Sequence, residues 1–177
     1  FVSGCLQSQF VLPANLDESS QRYTVSGRMG LNVDRELGFG GYQLTDINAG
    51  AQSKQSDVTL GGASTRCQLT STFVLNAKPA NRWLVTCDAS ASHSRDVSEQ
   101  GRESRTERIR CDFKPIEGQP WSMVLDASDS GPFTGTVRGS EMDLAVRIVG
   151  RPSDGVIIRS KGLPVAAASF IRPGRIW

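Results

Sequence analysis

The chain has 177 residues, of which 38% are hydrophobic and 21% are charged, and its formal net charge is +2 at pH 7. This composition is typical of one folded globular domain and excludes an intrinsically disordered chain. The small net charge gives no reason to expect a nucleic-acid partner, because such proteins usually carry a strongly basic surface. No apolar run approaches the roughly 20 residues that a transmembrane helix requires.

The chain begins with a short motif of aliphatic and small residues that ends in a cysteine. Val2, Ser3, Gly4 and Cys5 follow the order aliphatic, small, small, cysteine. This motif resembles the lipobox of bacterial lipoproteins, in which a peptidase cuts before the cysteine and the cysteine then receives acyl chains. The resemblance implies a preceding signal peptide, lipidation of Cys5 and a membrane anchor. Because Leu6 rather than aspartate follows the cysteine, it also implies an outer-membrane lipoprotein of the bacterial cell envelope that faces the periplasm.

A polar, proline-containing stretch without hydrophobic periodicity follows Cys5. Such a composition is typical of a linker between an anchor and a domain. We therefore expect residues 1–21 to form the lipobox remnant and a flexible tether, and residues 22–177 to form the folded domain.

Hydrophobic and polar residues alternate along most of residues 22–177. In the segment ERIRCDFK, Ile109, Cys111 and Phe113 fall on one face, whereas Arg110 and Asp112 fall on the other. This period of two predicts strands that bury one face. Clusters of Gly, Asp, Ser and Asn predict turns at 34–41, 48–57, 60–65, 76–81, 126–132 and 150–155. The runs between them predict nine or ten short strands, at 22–33, 40–47, 66–75, 82–88, 107–114, 121–126, 133–138, 141–149 and 156–160.

Short strands with a turn about every ten residues predict an all-β fold. We expect a single domain built as an antiparallel β-sandwich or β-barrel that follows the N-terminal tether. The sequence pattern leaves both architectures open.

Residues 89–106 contain almost no large apolar side chain, and we predict a long exposed loop between two paired strands. If those strands pair, Cys87 and Cys111 face the same side, so a Cys87–Cys111 disulfide is the preferred prediction. A Cys67–Cys87 bridge is the next alternative, followed by no bridge. Export permits disulfides, and one cysteine remains unpaired once Cys5 carries lipid. Because the chain has no CxxC or Cys/His cluster, we expect no metal and no cofactor.

The chain has one histidine, His93, which serines flank and Asp96 follows. A Ser–His–Asp site requires a held imidazole and an oxyanion hole, which a polar loop does not supply. Nucleophile-elbow, P-loop and dinucleotide-binding motifs are also absent from the sequence, so we expect no enzymatic activity. Trp83 and Trp121 begin predicted strands, where they are either core-edge residues or a ligand platform. Together with His93 they are the candidate binding residues.

Three functional hypotheses follow. The main hypothesis is a non-enzymatic binding or structural module of the cell envelope, held at the membrane by its lipid and facing a protein partner. The second is an inhibitor of a cell-wall hydrolase, similar in general character to the lysozyme inhibitors of the envelope, which insert a loop into the active cleft of the enzyme. The third is a barrel that binds a small ligand or lipid in an apolar interior.

Overall fold

The computed structural model describes residues 13–14, 16, 23–24, 26–29, 32–59, 62–77, 81–96, 103–129, 131–140, 143–149, 155–169 and 175–176. All the regular secondary structure in these ranges is β-strand, which confirms the all-β prediction. Within the same ranges, no helix is long and apolar enough to cross a membrane. The strands are β1 (Tyr23–Thr24), β2 (Ser26–Met29), β3 (Asn32–Phe39), β4 (Tyr42–Thr59), β5 (Gly62–Ala77), β6 (Asn81–Asp96), β7 (Glu103–Pro115), β8 (Trp121–Ser128), β9 (Thr134–Arg138), β10 (Asp143–Val149), β11 (Gly155–Ser160), β12 (Leu163–Ser169) and β13 (Arg175–Ile176).

These strands form one antiparallel sheet in the order β1-β13-β12-β11-β10-β9-β8-β7-β6-β5-β4-β3-β2. In the described residues no ladder joins β1 to β2, so hydrogen bonds do not close the sheet. However, β1 ends at Thr24 and β2 begins at Ser26, which places the two outer strands within about 7 Å of each other along the chain. The single sheet therefore curls until its two edges come close together.

Tight hairpins connect neighbouring strands and fix their register. Only Lys161 and Gly162 lie between the paired residues Ser160 and Leu163. The φ angles of Lys161 and Gly162 are 49° and 84°, which is the combination that a type I′ turn requires. Because this turn matches the right-handed twist of the flanking strands, the chain returns directly into an antiparallel ladder.

The apolar face of the sheet carries the core. Directly paired residues share a face, and the ladder places Leu125 opposite Gly135 and Gly135 opposite Val146. Leu125 and Val146 form a buried cluster with Phe133 and Val137. Position 135 requires a glycine, because a Cβ there would overlap the backbone carbonyl oxygen of Val124 in β8. The core thus lies on β8 to β10, at the centre of the sheet.

The same apolar face continues on β6 and β7. Val85 is fully buried, and its partner Phe113 stacks its ring on Trp121 at a centroid distance of 3.7 Å. Cys87 lies directly opposite Cys111, and the two form a disulfide with a Cα–Cα distance of 4.1 Å. The preferred disulfide prediction is therefore confirmed. Cys67 is a free thiol, so the alternative Cys67–Cys87 bridge is not formed.

The predicted long loop at residues 89–106 is wrong. β6 continues to Asp96 and β7 already begins at Glu103, so most of the segment is paired strand. Low hydrophobicity did not prevent strand formation, because polar cross-strand pairs stabilise this ladder. Ser92 Oγ and Thr106 Oγ1 are hydrogen-bonded at 2.7 Å, and so are the hydroxyls of the next pair, Ser94 and Ser104.

The turn predicted at 48–57 is also wrong, because this segment lies inside the 18-residue strand β4. The ladder between β4 and β5 runs from Tyr42–Ala77 to Thr59–Gly62 and contains two irregularities. Asp46 lies within the first of them and has a φ of 52°. Bulges absorb such turn-like residues without ending a strand. The turn predicted at 34–41 is largely β3, with only residues 40 and 41 forming the turn.

The lipobox-like motif and most of the predicted tether lie outside the described residues. Of residues 1–21, the structure describes 13, 14 and 16. Leu16 is only 8% exposed, and its backbone N–H donates a hydrogen bond to the Pro13 carbonyl at 2.9 Å. Leu16 is therefore a buried residue of the segment assigned to the tether.

Candidate functional site

The four longest strands extend beyond the apolar core as a polar sheet. We call this part the polar extension and define it as residues 53–59, 62–68, 90–96 and 103–108. Its base is the row of paired residues Ser53, Gln68, Ser90 and Arg108. Its largest apolar side chain is Val58, which is 82% exposed. Six residue steps of strand make the extension about 20 Å long. These residues form strands without contributing to the core.

One face of the polar extension forms a groove of about 730 Å³. The groove extends onto β8 at Asp126, and Arg108 Nε donates a hydrogen bond to Asp126 Oδ1 at 2.6 Å. This hydrogen bond and the adjacent negative charge raise the pKa of the Arg108 guanidinium above its ordinary value. The groove is lined with hydroxyl, amide and guanidinium groups of Arg66, Gln68, Ser90, Ser92, Thr106 and Arg108.

Arg66 is the residue in the groove whose charge is not compensated. Its side chain is exposed and, within the described part of the chain, makes no ion pair or hydrogen bond. In contrast, Arg108 is paired with Asp126, and Glu107 accepts hydrogen bonds from Arg105. Counted over the described residues, the groove therefore offers one free cation and several hydroxyls to a polar or anionic group of a ligand.

The opposite face of the polar extension carries charged side chains and the only histidine in the sequence. His93 Nε2 lies 3.7 Å from Glu103 Oε2, and Arg95 Nε lies 3.7 Å from Glu103 Oε1. Because side chains alternate along a strand, Ser92 and Ser94 point to the other face of the sheet. The structure therefore does not bring the serines that flank His93 to its imidazole. The free thiol of Cys67 lines a second concavity, of about 470 Å³, on the His93 side.

The three candidate binding residues are not brought together. Trp83 and His93 both lie on β6, but ten residues separate them, which corresponds to about 33 Å of strand. Trp121 stacks on Phe113 and is half-buried on the apolar face. Trp83 is also half-buried, and it pairs with Pro115 at the same end of the sheet. The tryptophans thus lie at the core end, and His93 lies in the polar extension.

Sequence reasoning missed the open edge of β4. β3 pairs with β4 only from Leu37–Leu44 to Phe39–Tyr42, whereas β5 pairs with β4 to its end at Thr59. Among the described residues, β4 therefore has no neighbour on its outer side beyond Leu44. The turn predicted at 60–65 was the sequence signal for this strand, because a turn there implies a strand on each side of it. The polar composition of 48–57 led instead to a turn prediction.

Within the described ranges, no group of three or more His, Cys, Asp or Glu side chains is arranged to hold a metal ion. Comparisons with protein-family models, with curated protein sequences and with solved structures gave no match to this chain. The lipobox-like motif and the surface of the polar extension are the features of the chain that bear on its function.

Proposed function

We propose that the chain is a non-enzymatic binding module of the bacterial cell envelope, held at the membrane through a lipidated Cys5. The polar extension is its recognition surface, and the curled sheet is the scaffold that presents it. The partner is a protein of the envelope. Tethering raises the effective concentration of the module near membrane-bound partners, so a surface of moderate affinity is sufficient.

Two features support the envelope as the location. The residues Val2 to Cys5 match the order of a lipobox, and Leu6 favours the outer membrane by the same resemblance. The Cys87–Cys111 disulfide is suited to an oxidising compartment such as the periplasm. Replacement of Cys5 by serine should abolish incorporation of a labelled fatty acid, whereas Cys67→Ser should leave it unchanged. Equal labelling of both variants would contradict lipidation at Cys5.

The polar extension is the structural feature that supports a role in recognising a partner. Its four strands have polar side chains on both faces, so burial of an apolar core does not explain their length. Cross-strand hydrogen bonds such as Ser92–Thr106 hold the backbone in a defined shape. The groove beside them combines hydroxyls with the uncompensated Arg66. A preorganised polar surface of this kind loses little conformational entropy when a partner binds.

The proposal is tested by site-specific photo-cross-linking in cells that express the full lipidated chain. A photoreactive amino acid is placed at Ser90, which lines the groove, or at Leu163, which is 69% exposed on β12 outside the polar extension. We expect one defined partner to be cross-linked from position 90 and not from position 163. Arg66→Ala should reduce the yield from position 90, with Lys161→Ala as a matched cationic control.

Equal yields from the two positions would show that the polar extension is not the recognition surface. The absence of any cross-linked partner from position 90 would contradict the proposed function itself.

A further inference from the structure

Among the residues that the structure describes, the outer edge of β4 beyond Leu44 is a regular segment of strand without a pairing partner. After the second irregularity, between Ala49 and Gln52, the ladder to β5 is continuous from Gln52 to Thr59. These eight residues are all exposed, contain no proline, and carry only Lys54 and Asp57 as charges. Such a stretch offers its free N–H and C=O groups to another chain, and its two charges restrict which chain can pair with it.

The direction of the backbone groups follows from the hairpin geometry. Only two residues separate Thr59 from Gly62, and these two residues are paired. In a two-residue hairpin the flanking residues form a hydrogen-bonded pair, so Thr59 directs its N–H and C=O toward β5. The direction alternates along an antiparallel ladder. The residues that direct their N–H and C=O groups toward the open edge are therefore Gln52, Lys54, Ser56 and Val58.

We infer that the β4 edge binds an extended segment of the partner protein by strand addition. This inference rests on the proposed function, because it takes the polar extension as the binding surface and names the part that binds. An incoming strand satisfies the four free N–H and four free C=O groups of the edge, which no small ligand matches along this length. The partner segment is an extended peptide that pairs with residues 52–59.

The charges of the edge specify the partner segment further. Lys54 and Asp57 stand three positions apart, so their side chains lie on opposite faces of the sheet. A matching strand carries an acidic residue opposite Lys54 and a basic residue opposite Asp57, again three positions apart. Opposite charges in directly facing positions stabilise a strand pair, whereas like charges destabilise it.

A second copy of this chain does not meet this requirement. Two identical strands that pair antiparallel are related by a two-fold axis perpendicular to the sheet. That operation keeps each side chain on its own face, so facing residues differ by an even number of positions. Lys54 therefore never faces the partner copy's Asp57, because the difference is three. Charge complementarity thus favours a different polypeptide over self-association.

The test uses the full folded chain and a synthetic ten-residue peptide of alternating Thr and Val with one Glu and one Lys three positions apart. Amide hydrogen exchange is followed by NMR with and without the peptide. We expect at least tenfold slower exchange at the outward amides of Gln52, Lys54, Ser56 and Val58. The inward amides of the same strand are already hydrogen-bonded to β5 and serve as an internal control.

Two matched comparisons separate strand addition from side-chain binding. A peptide that is N-methylated at alternate positions should not bind, because it cannot form the ladder. Ser56→Pro should remove the protection by removing one outward N–H, and edge strands tolerate proline at such positions. Ser56→Ala keeps the N–H and should behave as wild type. If the proline variant does not fold, the N-methylated peptide alone decides the question.

Equal protection by the N-methylated peptide, or no protection by the unmodified peptide, would overturn the inference. Protection that appears with increasing protein concentration in the absence of peptide would overturn it in favour of a second copy. If the edge amides stay free while cross-linking from position 90 persists, only the strand-addition inference fails. Loss of the cross-link with retained peptide protection would instead contradict the proposed groove surface.

Discussion

Removal of the disulfide is expected to destabilise the fold by an amount that follows from the loop it closes. Cys87 and Cys111 are 24 residues apart and face each other in the middle of the β6–β7 ladder. In the chain-entropy account, a closed loop of about 25 residues corresponds to about 3.5 kcal/mol at 25 °C. Because β6 and β7 still pair without the bridge, we attribute the lost stability to the greater conformational entropy of the unfolded chain. The double variant Cys87→Ala/Cys111→Ala should therefore unfold with a free energy lower by about 3.5 kcal/mol.

The assay is denaturant unfolding followed by tryptophan fluorescence, since Trp83 and Trp121 lie on the same face as the disulfide. For a domain of this size the change corresponds to a fall in Tm of roughly 7 to 14 °C. Cys67→Ala is the matched control and should change stability by less than about 0.5 kcal/mol. A loss below about 1 kcal/mol for the double variant, or an equal loss for Cys67→Ala, would show that closure of this loop does not stabilise the fold as expected.

Three further predictions concern the core and the groove. Val85→Ala should lower the free energy of unfolding by about 2 to 3 kcal/mol, because Val85 is fully buried. The control Val58→Ala, at an exposed site, should change it by less than about 0.5 kcal/mol. Similar denaturation curves for the two variants would contradict the assignment of the core. Gly135→Ala should cost about 1 to 3 kcal/mol in the same assay, since its new methyl group meets the backbone of β8, and a wild-type Tm would show that the close approach is absent. The hydrogen bond to Asp126 raises the pKa of the Arg108 guanidinium, so the stability it contributes is fully present below the ordinary arginine pKa and is lost as the pH rises through the raised value. The plots of unfolding free energy against pH for wild type and Asp126→Asn should therefore run parallel near neutral pH, and a difference that changes with pH there would contradict this.

The alternation of apolar and polar residues predicted the fold class because it is a direct consequence of burial on one face of a strand. It worked best where the face is buried, as at Ile109, Cys111 and Phe113, and there it also predicted the disulfide. It failed where no face is buried. Residues 48–57 and 89–106 have no apolar stripe, so their strands depend on pairing with β5 and on hydroxyl contacts between strands.

The candidate site was predicted less well than the fold for a related reason. Rare residues such as His93 and the tryptophans were selected as candidates from the sequence. Whether they lie close to one another depends on strand register and strand length. The ladder separates Trp83 from His93 and places Arg66 beside Ser90 and Ser92. The open edge of β4 follows from how far β3 pairs with β4, and no local sequence pattern reports that length.

In the proposed function the polar extension serves recognition and is dispensable for the fold. The decisive experiment uses a shortened chain in which residues 54–67 and 93–105 are each replaced by an Asn-Gly turn, so that Ser53 pairs with Gln68 and Ser92 with Thr106. The measurement is the affinity of the shortened chain for the partner identified by cross-linking. We predict native tryptophan fluorescence, a retained Cys87–Cys111 disulfide and at least a hundredfold weaker binding. Unchanged binding by the folded, shortened chain would contradict the claim.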